Sequence, residues 1–164
     1  MSAVFSRRRA PVLVAAAAAL AVASLGAAAS DIGPWYYGLH KPSWQPPDWL
    51  FGPVWTLIFA LTALAGALAW RAARSTSERR RILMLFALNA LLNVMWSEMF
   101  FHLQRPDWAL IEVVPFWLSI VALIVGLARF APLASRILIP YLLWVTFAAA
   151  LNLAVVRLNA PFGP

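Results

Sequence analysis

The sequence predicts an all-α membrane protein, a bundle of five transmembrane helices in one domain that spans residues 1–164. Hydrophobic residues make up 63% of the chain and charged residues 12%, whereas a soluble domain has about 25% charged residues. The mean hydropathy is +0.79. A helix needs about 20 apolar residues to cross the hydrocarbon core of a bilayer. Five segments are long enough: Pro11–Ala29, Phe51–Trp70, Ile82–Phe101, Trp108–Phe130 and Ile137–Leu158. They lack the alternation of barrel strands, which favours helices.

The first segment has two interpretations. Arg7, Arg8 and Arg9 precede an alanine-rich run that ends in small residues at Gly26–Ser30, as in a cleaved signal peptide. The run is longer than a typical signal core, which favours a retained helix. Its alanines and Gly26 would then allow close contact with another helix.

The second segment is preceded by a proline- and tryptophan-rich stretch, KPSWQPPDWLFGPVW, at Lys41–Trp55. Pro42, Pro46 and Pro47 favour a stiff, extended loop, because proline fixes φ and restricts the residue before it. Asp48 can cap the helix that follows. The stretch is either an aromatic belt at the membrane interface or a lid and wall for a flat aromatic ligand, and we favour the second interpretation.

Polar residues follow helical spacing in the last three segments. The third segment carries Asn89, Asn93, Trp96 and Phe100; the fourth carries Trp108, Glu112, Pro115 and Ser119; the fifth carries Trp144, Ala148 and Leu151, with Asn152 beside them and Asn159 beyond. Residues spaced by three or four positions share one helix face, so we expect these stripes to face one another. Hydrogen bonds between helices are the favoured interpretation for Asn89, Asn152 and Asn159. Asn93 suits either bonding or ligand contact.

Glu112 lies about one turn after the start of the fourth segment. We expect its carboxylate to be solvated or paired with Arg105, with ligand binding as the alternative. Glu98 lies near the same interface and is also expected to be exposed.

Basic residues predict the orientation. Ten of the thirteen Lys and Arg residues lie at the amino terminus or in the loops after the second and fourth segments, and the other three are Lys41, Arg105 and Arg157. The positive-inside rule then places the amino terminus in the cytoplasm if the protein lies in a bacterial inner membrane. The net charge of +7 is explained by these flanking residues, so a nucleic-acid partner is not expected.

The residue types exclude several kinds of chemistry. The chain has no cysteine, which rules out disulfides and thiol catalysis. His40 and His102 lack a second ligand at metal-binding spacing, and neither a metal nor a cofactor is expected. What remains is indole chemistry: a pocket walled by Trp55, Trp96, Trp108 and Trp144 would suit a tetrapyrrole. Lys41 or Arg105 could meet its carboxylates.

Three motifs carry a resemblance to a known family. The stretches WYYGLHKPSWQPPDWLFGPVW, LNVMWSEMFF and PYLLWVTFAAALN resemble the TspO family, also called translocator proteins, tryptophan-rich sensory proteins or peripheral-type benzodiazepine receptors. The resemblance covers residues 11–159. It implies a five-helix membrane bundle, usually a homodimer, whose pocket is closed by the first loop. It also implies binding of porphyrins and of isoquinoline or benzodiazepine drugs.

The resemblance also implies site residues. The family's pocket positions fall on Leu50, Phe51, Gly52, Val54, Trp55, Asn93, Trp96, Trp108, Trp144, Ala148 and Leu151. Trp55 and Trp144 match the pair linked in the family to porphyrin breakdown under light. The leading hypothesis is therefore a porphyrin receptor in the bacterial cell envelope that regulates tetrapyrrole handling or stress signalling. The alternatives are a light- and oxygen-dependent porphyrin-degrading enzyme and a porphyrin or sterol transporter.

Two departures from the family pattern limit what is carried over. The family's cholesterol motif needs a tyrosine near the end of the last helix, and the stretch from Leu151 to Arg157 has none. Such motifs are weak in any case, so cholesterol binding is not expected. Glu98 stands where relatives commonly have proline. The dimer face is not predicted.

Overall fold

The computed structural model describes residues 2–30 and 32–162, which are largely helical. The α-helices are α1 (Ser2–Ala29), α2 (Pro34–Gly38), α3 (Phe51–Ala72), α4 (Thr76–Ser97), α5 (Pro106–Ala128), α6 (Pro132–Ile137) and α7 (Ile139–Asn159). A 3₁₀ turn at Asp48–Leu50 leads into α3, and a π-helical turn at Glu98–His102 ends α4.

The predicted five-helix bundle is confirmed. Four helical segments are long and apolar enough to cross a membrane, namely Asp48–Ala72, Thr76–His102, Pro106–Ala128 and Pro132–Asn159. The fifth is α1, whose apolar part Leu13–Gly26 is shorter. The side chains of residues 1–12, which include the three arginines of the predicted signal, lie outside the described ones.

The five long helices close into a ring. Helix α1 packs against α3 and α4, α5 packs against α4 and α7, and α3 contacts α7 to complete the circle. The short helix α6 fills one end, where it contacts α3 and α5. A ring of this kind leaves room for a cavity on its axis, and the packing of each end decides whether that room is filled.

Helix α4 begins earlier than its apolar run predicts, because polar residues cap it. The Ser75 hydroxyl accepts from the Glu78 N–H at 3.1 Å. The Glu78 carboxylate in turn accepts from the N–H groups of Ser75 at 3.1 Å and Arg74 at 2.6 Å. This capping box satisfies amides that a helix start leaves free, and it adds a turn and a half of charged helix before Ile82.

The end of the ring near α6 is solid. Its core includes Ile120, Leu123, Leu127 and Leu138, all fully buried. Gly126 lets α4 approach α5, because a Cβ at this position would lie 2.8 Å from Leu85 Cδ1. Apolar filling at this end confines any cavity to the opposite end, where the loop between α1 and α3 lies. We call that opposite end the loop end.

A buried hydrogen-bond network crosses the bundle between these two ends. Asn89 donates to the Ser119 hydroxyl at 2.8 Å and accepts from the Tyr141 hydroxyl at 3.2 Å. Asn93 donates to the same Tyr141 oxygen at 3.3 Å. The network ties α4 to α5 and α7, which is the interhelical role predicted for Asn89.

The other two asparagines bind different partners. Asn152, with its amide oriented to satisfy both neighbours, donates to the Pro106 carbonyl at 3.0 Å and accepts from the Leu110 N–H at 3.1 Å. This bond links α7 to α5, as predicted. Asn159 instead binds the α1–α3 loop: it accepts from the His40 N–H and donates to the His40 carbonyl, both at 2.8 Å. A loop clamp therefore replaces the helix–helix bond expected there.

Candidate functional site

A cavity of about 720 Å³ occupies the loop end of the bundle. Its walls come from α1, the α1–α3 loop, α3, α4 with its π-helical turn, and α7. Small residues of α1, including Ala16, Ala19, Ala23 and Gly26, form one side. Aromatic side chains form most of the others, so the cavity is a largely apolar space with wide, flat walls.

The tryptophan pair Trp55 and Trp144 forms the wall between α3 and α7. Their ring centroids are 6.5 Å apart and the rings are nearly perpendicular, at 87°. Phe51 packs against Trp144 at 5.7 Å, and Phe59 stacks on Trp55 at 5.5 Å. Aromatic rings prefer these edge-to-face and offset arrangements, which hold both indoles in place. The Trp144 N–H is buried and has no hydrogen-bond partner among the described residues.

The opposite wall is built by the end of α4. Trp96 stacks on Phe100 at 5.2 Å, and Phe101 lies 4.7 Å from Phe100. Phe100 and Phe101 belong to the π-helical turn, whose wider coil brings these consecutive rings to the cavity. Such turns are frequent at functional sites.

The α1–α3 loop closes the mouth through a polar cluster around Asp48. One carboxylate oxygen accepts from the Tyr36 hydroxyl and from the Gln45 amide, each at 2.9 Å. Lys41 Nζ lies 3.6 Å from the other oxygen and 3.6 Å from the centre of the Tyr36 ring. Burial and the bond to Asp48 raise the pKa of Tyr36 above its ordinary value. We call these four residues the Asp48 cluster.

The loop is also held from outside the cluster. The Asn159 side chain clamps both backbone groups of His40, and the Trp44 ring meets Phe147 of α7 at 5.8 Å. Both anchors are on α7, so the lid is fastened to the helix that carries Trp144. An extended, proline-stiffened loop loses little further freedom when it is fastened in this way.

Eight of the eleven predicted site residues line the cavity. These are Phe51, Gly52, Trp55, Asn93, Trp96, Trp144, Ala148 and Leu151. A Cβ on Gly52 would meet nothing within 4 Å, so this glycine leaves the wall open. Asn93 is the polar residue at the base, where its amide also reaches the buried network.

The other three predicted residues lie elsewhere. Leu50 ends the 3₁₀ turn, and Val54 packs against the apolar core beside Trp55. Trp108 lies in the first turn of α5, a helix that contributes no residue to the described cavity lining, and is 47% exposed. The guanidinium of Arg105 lies 4.3 Å from its ring. The described cavity is thus walled by three indoles rather than the expected four.

Sequence reasoning also missed part of the wall. The small residues of α1 recur at 16, 19, 23 and 26. This helical spacing could have predicted that they share one face of α1. Tyr36 and Asp48 fall inside the loop motif, but the contact between them is not encoded by spacing. Among the described residues no group of three His, Cys, Asp or Glu side chains could hold a metal ion.

The prediction for Glu112 was wrong in two respects. The side chain is only 6% exposed, not solvated. Arg105 pairs with Asp107 through a bidentate contact, with Nε donating at 2.8 Å, so it does not pair with Glu112. Arg105 and Asp107 are only two positions apart, so Arg105 pairs with this nearby carboxylate instead of the more distant Glu112.

Comparison with known proteins explains this architecture. The family model described as TspO/MBR matches residues 12–158. The chain belongs to the TspO/MBR family. The membrane bundle and its tryptophan-rich loop end are therefore those of a TspO/MBR protein, and the resemblance seen in the three sequence motifs is confirmed.

Individual TspO/MBR relatives cover most of the chain. It is 45% identical over 130 residues to the tryptophan-rich protein TspO of Chlorobaculum tepidum. The aligned region covers 76% of this chain and 80% of that protein. It is 36% identical over 154 residues to a protein of the same name from Archaeoglobus fulgidus, with 91% and 99% covered. It is also 36% identical over 126 residues to the human translocator protein, with 76% and 75% covered.

Proposed function

We propose that the chain is a membrane receptor that binds porphyrins, and benzodiazepine- or isoquinoline-type ligands, in the cavity at the loop end. The observation that carries the proposal is the cavity itself, about 720 Å³ of apolar space walled by Trp55, Trp96 and Trp144. Small-molecule sites in proteins measure about 300–1,000 Å³ and combine apolar walls with few polar groups. A bound porphyrin would then regulate tetrapyrrole handling or stress signalling.

The polar groups of the cavity support a ligand that is flat and carries acid groups at one edge. Indole and phenyl faces favour stacking with an extended π-system. Asn93 lies at the base, and Lys41 lies at the mouth, where its Nζ is 3.6 Å from an oxygen of Asp48. A propionate could replace or share Asp48 as the partner of Lys41, because an ammonium group donates up to three hydrogen bonds.

The setting we propose follows the family and the charge pattern. The protein would lie in the cell envelope of a bacterium as a multi-pass membrane protein, with its amino terminus in the cytoplasm if the membrane is the inner one. It would act as a homodimer, without a bound cofactor, a nucleic-acid partner or a cholesterol site.

A titration of the purified protein with protoporphyrin IX in the dark tests the receptor. We expect saturable quenching of tryptophan fluorescence with an unchanged porphyrin spectrum. Trp55→Phe should weaken binding, whereas Trp49→Phe should not, because Trp49 is 72% exposed and lies outside the described lining. Quenching that does not saturate, or that depends equally on both residues, would contradict the proposal.

The pair Trp55 and Trp144 supports a second candidate, light- and oxygen-dependent degradation of the porphyrin. The two electron-rich rings are 6.5 Å apart in the wall that a stacked ligand would touch. The same titration under light separates the candidates. Bleaching of the porphyrin that needs oxygen and is lost in Trp144→Phe would favour the enzyme, and a stable spectrum under light would favour the receptor.

A further inference from the structure

Glu112 is the exception among the buried polar side chains of the described residues. The other five are Asn89, Asn93, Ser119, Ser135 and Asn152. Each of these has a hydrogen-bond partner at 2.7–3.3 Å. Neither oxygen of Glu112 has one within the described part of the chain. Buried polar groups are nearly always paired, and ionisable residues within membrane helices mark functional sites by default.

Glu112 borders a groove on the outside of the ring. The groove has a volume of about 300 Å³ and is lined by Met99, Trp108, Ile111, Glu112 and Pro115. Ile111 is 74% and Trp108 47% exposed, on a helix that is long and apolar enough to cross a membrane. None of the five residues belongs to the described lining of the tryptophan-walled cavity, so the groove is a separate feature that opens toward the bilayer.

Hydrogen-bond acceptors lie beside the groove rather than on its surface, which is almost entirely apolar. The Glu112 carboxyl provides two oxygens. Pro115 lies inside α5 and has no N–H, so the α-helical bond to the carbonyl of Ile111 is missing. At the nearby start of α5, Arg105 pairs with Asp107, and the Glu112 carboxyl beside the groove has no hydrogen-bond or ion-pair partner among the described residues.

We propose that this groove is a second binding site, which takes a lipophilic amine from the membrane and holds its ammonium group on Glu112. An isolated carboxylate is costly in apolar surroundings. An ammonium group supplies both the opposite charge and the missing donors, while the alkyl or aryl part of the ligand lies against Met99, Trp108 and Ile111. Both Glu112 oxygens are closed to solvent, so the carboxyl must turn toward the groove when the ligand enters.

Photoaffinity labelling tests the proposal. The probe is a decylamine that carries a diazirine on its chain, added to the full-length protein in lipid nanodiscs, and the labelled residues are mapped by mass spectrometry. We expect labelling at residues 99–115 that unlabelled decylamine competes away. The alcohol with the same diazirine chain should label at least about tenfold less, because a charge-assisted hydrogen bond is about twice as strong as a neutral one. Equal labelling by the alcohol would overturn the proposal.

Two variants and a control make the test specific. Glu112→Gln keeps the shape of the side chain and removes its charge, so competed labelling should fall by about tenfold. Glu98→Gln removes a carboxylate at the same end of the bundle that does not line the groove, and labelling should stay unchanged. Full labelling of Glu112→Gln would overturn the proposal.

If Glu112→Gln fails to fold, Ile111→Trp answers the same question. Ile111 is largely exposed, so a larger side chain fills the groove from the membrane side and leaves Glu112 intact. We expect loss of labelling with an unchanged unfolding temperature. Labelling that persists, or cross-links to a second copy of the chain in place of the amine adduct, would overturn the amine site.

Discussion

Ala148 tests the cavity at the level of one residue. It lines the wall one helical turn after Trp144, so the additional carbon atoms of Ala148→Leu must enter the cavity. Overpacking of this kind costs about 1–3 kcal/mol, and we expect the affinity for protoporphyrin IX to fall by about 5- to 150-fold. Fluorescence titration measures the change.

The matched control for this prediction is Ala150→Leu. Ala150 lies on the same helix but is exposed, so the same enlargement should leave the affinity unchanged. Equal affinities for both variants and the wild type would place the ligand elsewhere.

Tyr36 makes the closure of the loop depend on pH. Burial and its bond to Asp48 raise its pKa in the folded protein above the ordinary value of 10.0. The hydroxyl therefore stabilises the fold fully below about pH 10, and this contribution declines at higher pH, where the unfolded chain ionises first.

We expect Tyr36→Phe to lower the free energy of unfolding by about 1.5–3 kcal/mol at pH 8, the usual contribution of a hydrogen bond to a charged group. The difference between variant and wild type should shrink as the pH rises above about 10. Unfolding curves of both proteins recorded at several pH values measure this difference. Lys41 is present in both proteins, so its own titration at high pH does not account for a difference between them. A difference that stays constant up to pH 11 would argue against the role of the hydroxyl.

Individual residues also show how far the sequence could predict the site. Helical spacing and the family motifs grouped Trp55, Asn93 and Trp144, and all three line one cavity. Spacing tells which residues share a helix face, but it does not tell which neighbour that face meets. Trp108 and Glu112 therefore share one helix face, as predicted, but α5 contributes no residue to the described lining of the cavity.

At the level of the elements, Tyr141 holds three helices together. It accepts from Asn93 and donates to Asn89, which also binds Ser119. Interhelical bonds in membrane proteins contribute about 0.6 kcal/mol each on average. We expect Tyr141→Phe, which loses two, to destabilise the protein by about 1 kcal/mol. Unfolding in mixed detergent micelles measures this.

The control is Tyr37→Phe, because Tyr37 is 65% exposed. It should leave the free energy of unfolding unchanged. If Tyr141→Phe were as stable as this control, the hydrogen bonds of Tyr141 would not contribute to the stability of the bundle.

The existence of the long helices could be predicted from the sequence more securely than their ends. Hydropathy identifies an apolar run, while caps and turns decide where the helix stops. The capping box at Ser75 starts α4 before its apolar run, and the π-helical turn widens its other end. The π-helical turn could not be predicted from the spacing of apolar residues, because a single turn produces no repeating pattern.

For the whole molecule, the distribution of Lys and Arg predicts which side of the membrane the loop end faces. The chain has no cysteine, so single introduced cysteines report without background. In a bacterial inner membrane, Ser43→Cys in the loop should react with a membrane-impermeant maleimide in intact cells with a permeabilised outer membrane. Ser77→Cys, exposed at the start of α4, should react only after lysis. The reverse pattern would invert the orientation.

The clamp between Asn159 and His40 has a consequence for the order in which the protein is made. Its two residues are 119 positions apart, and Asn159 is the last residue of α7. At about 5–20 residues per second, His40 leaves the ribosome roughly 6–24 seconds before its partner. During this interval the loop has neither the clamp nor Phe147 to fasten it, and the wall that carries Trp144 is missing. A nascent chain thus has an incomplete cavity until α7 has been synthesised and has entered the membrane.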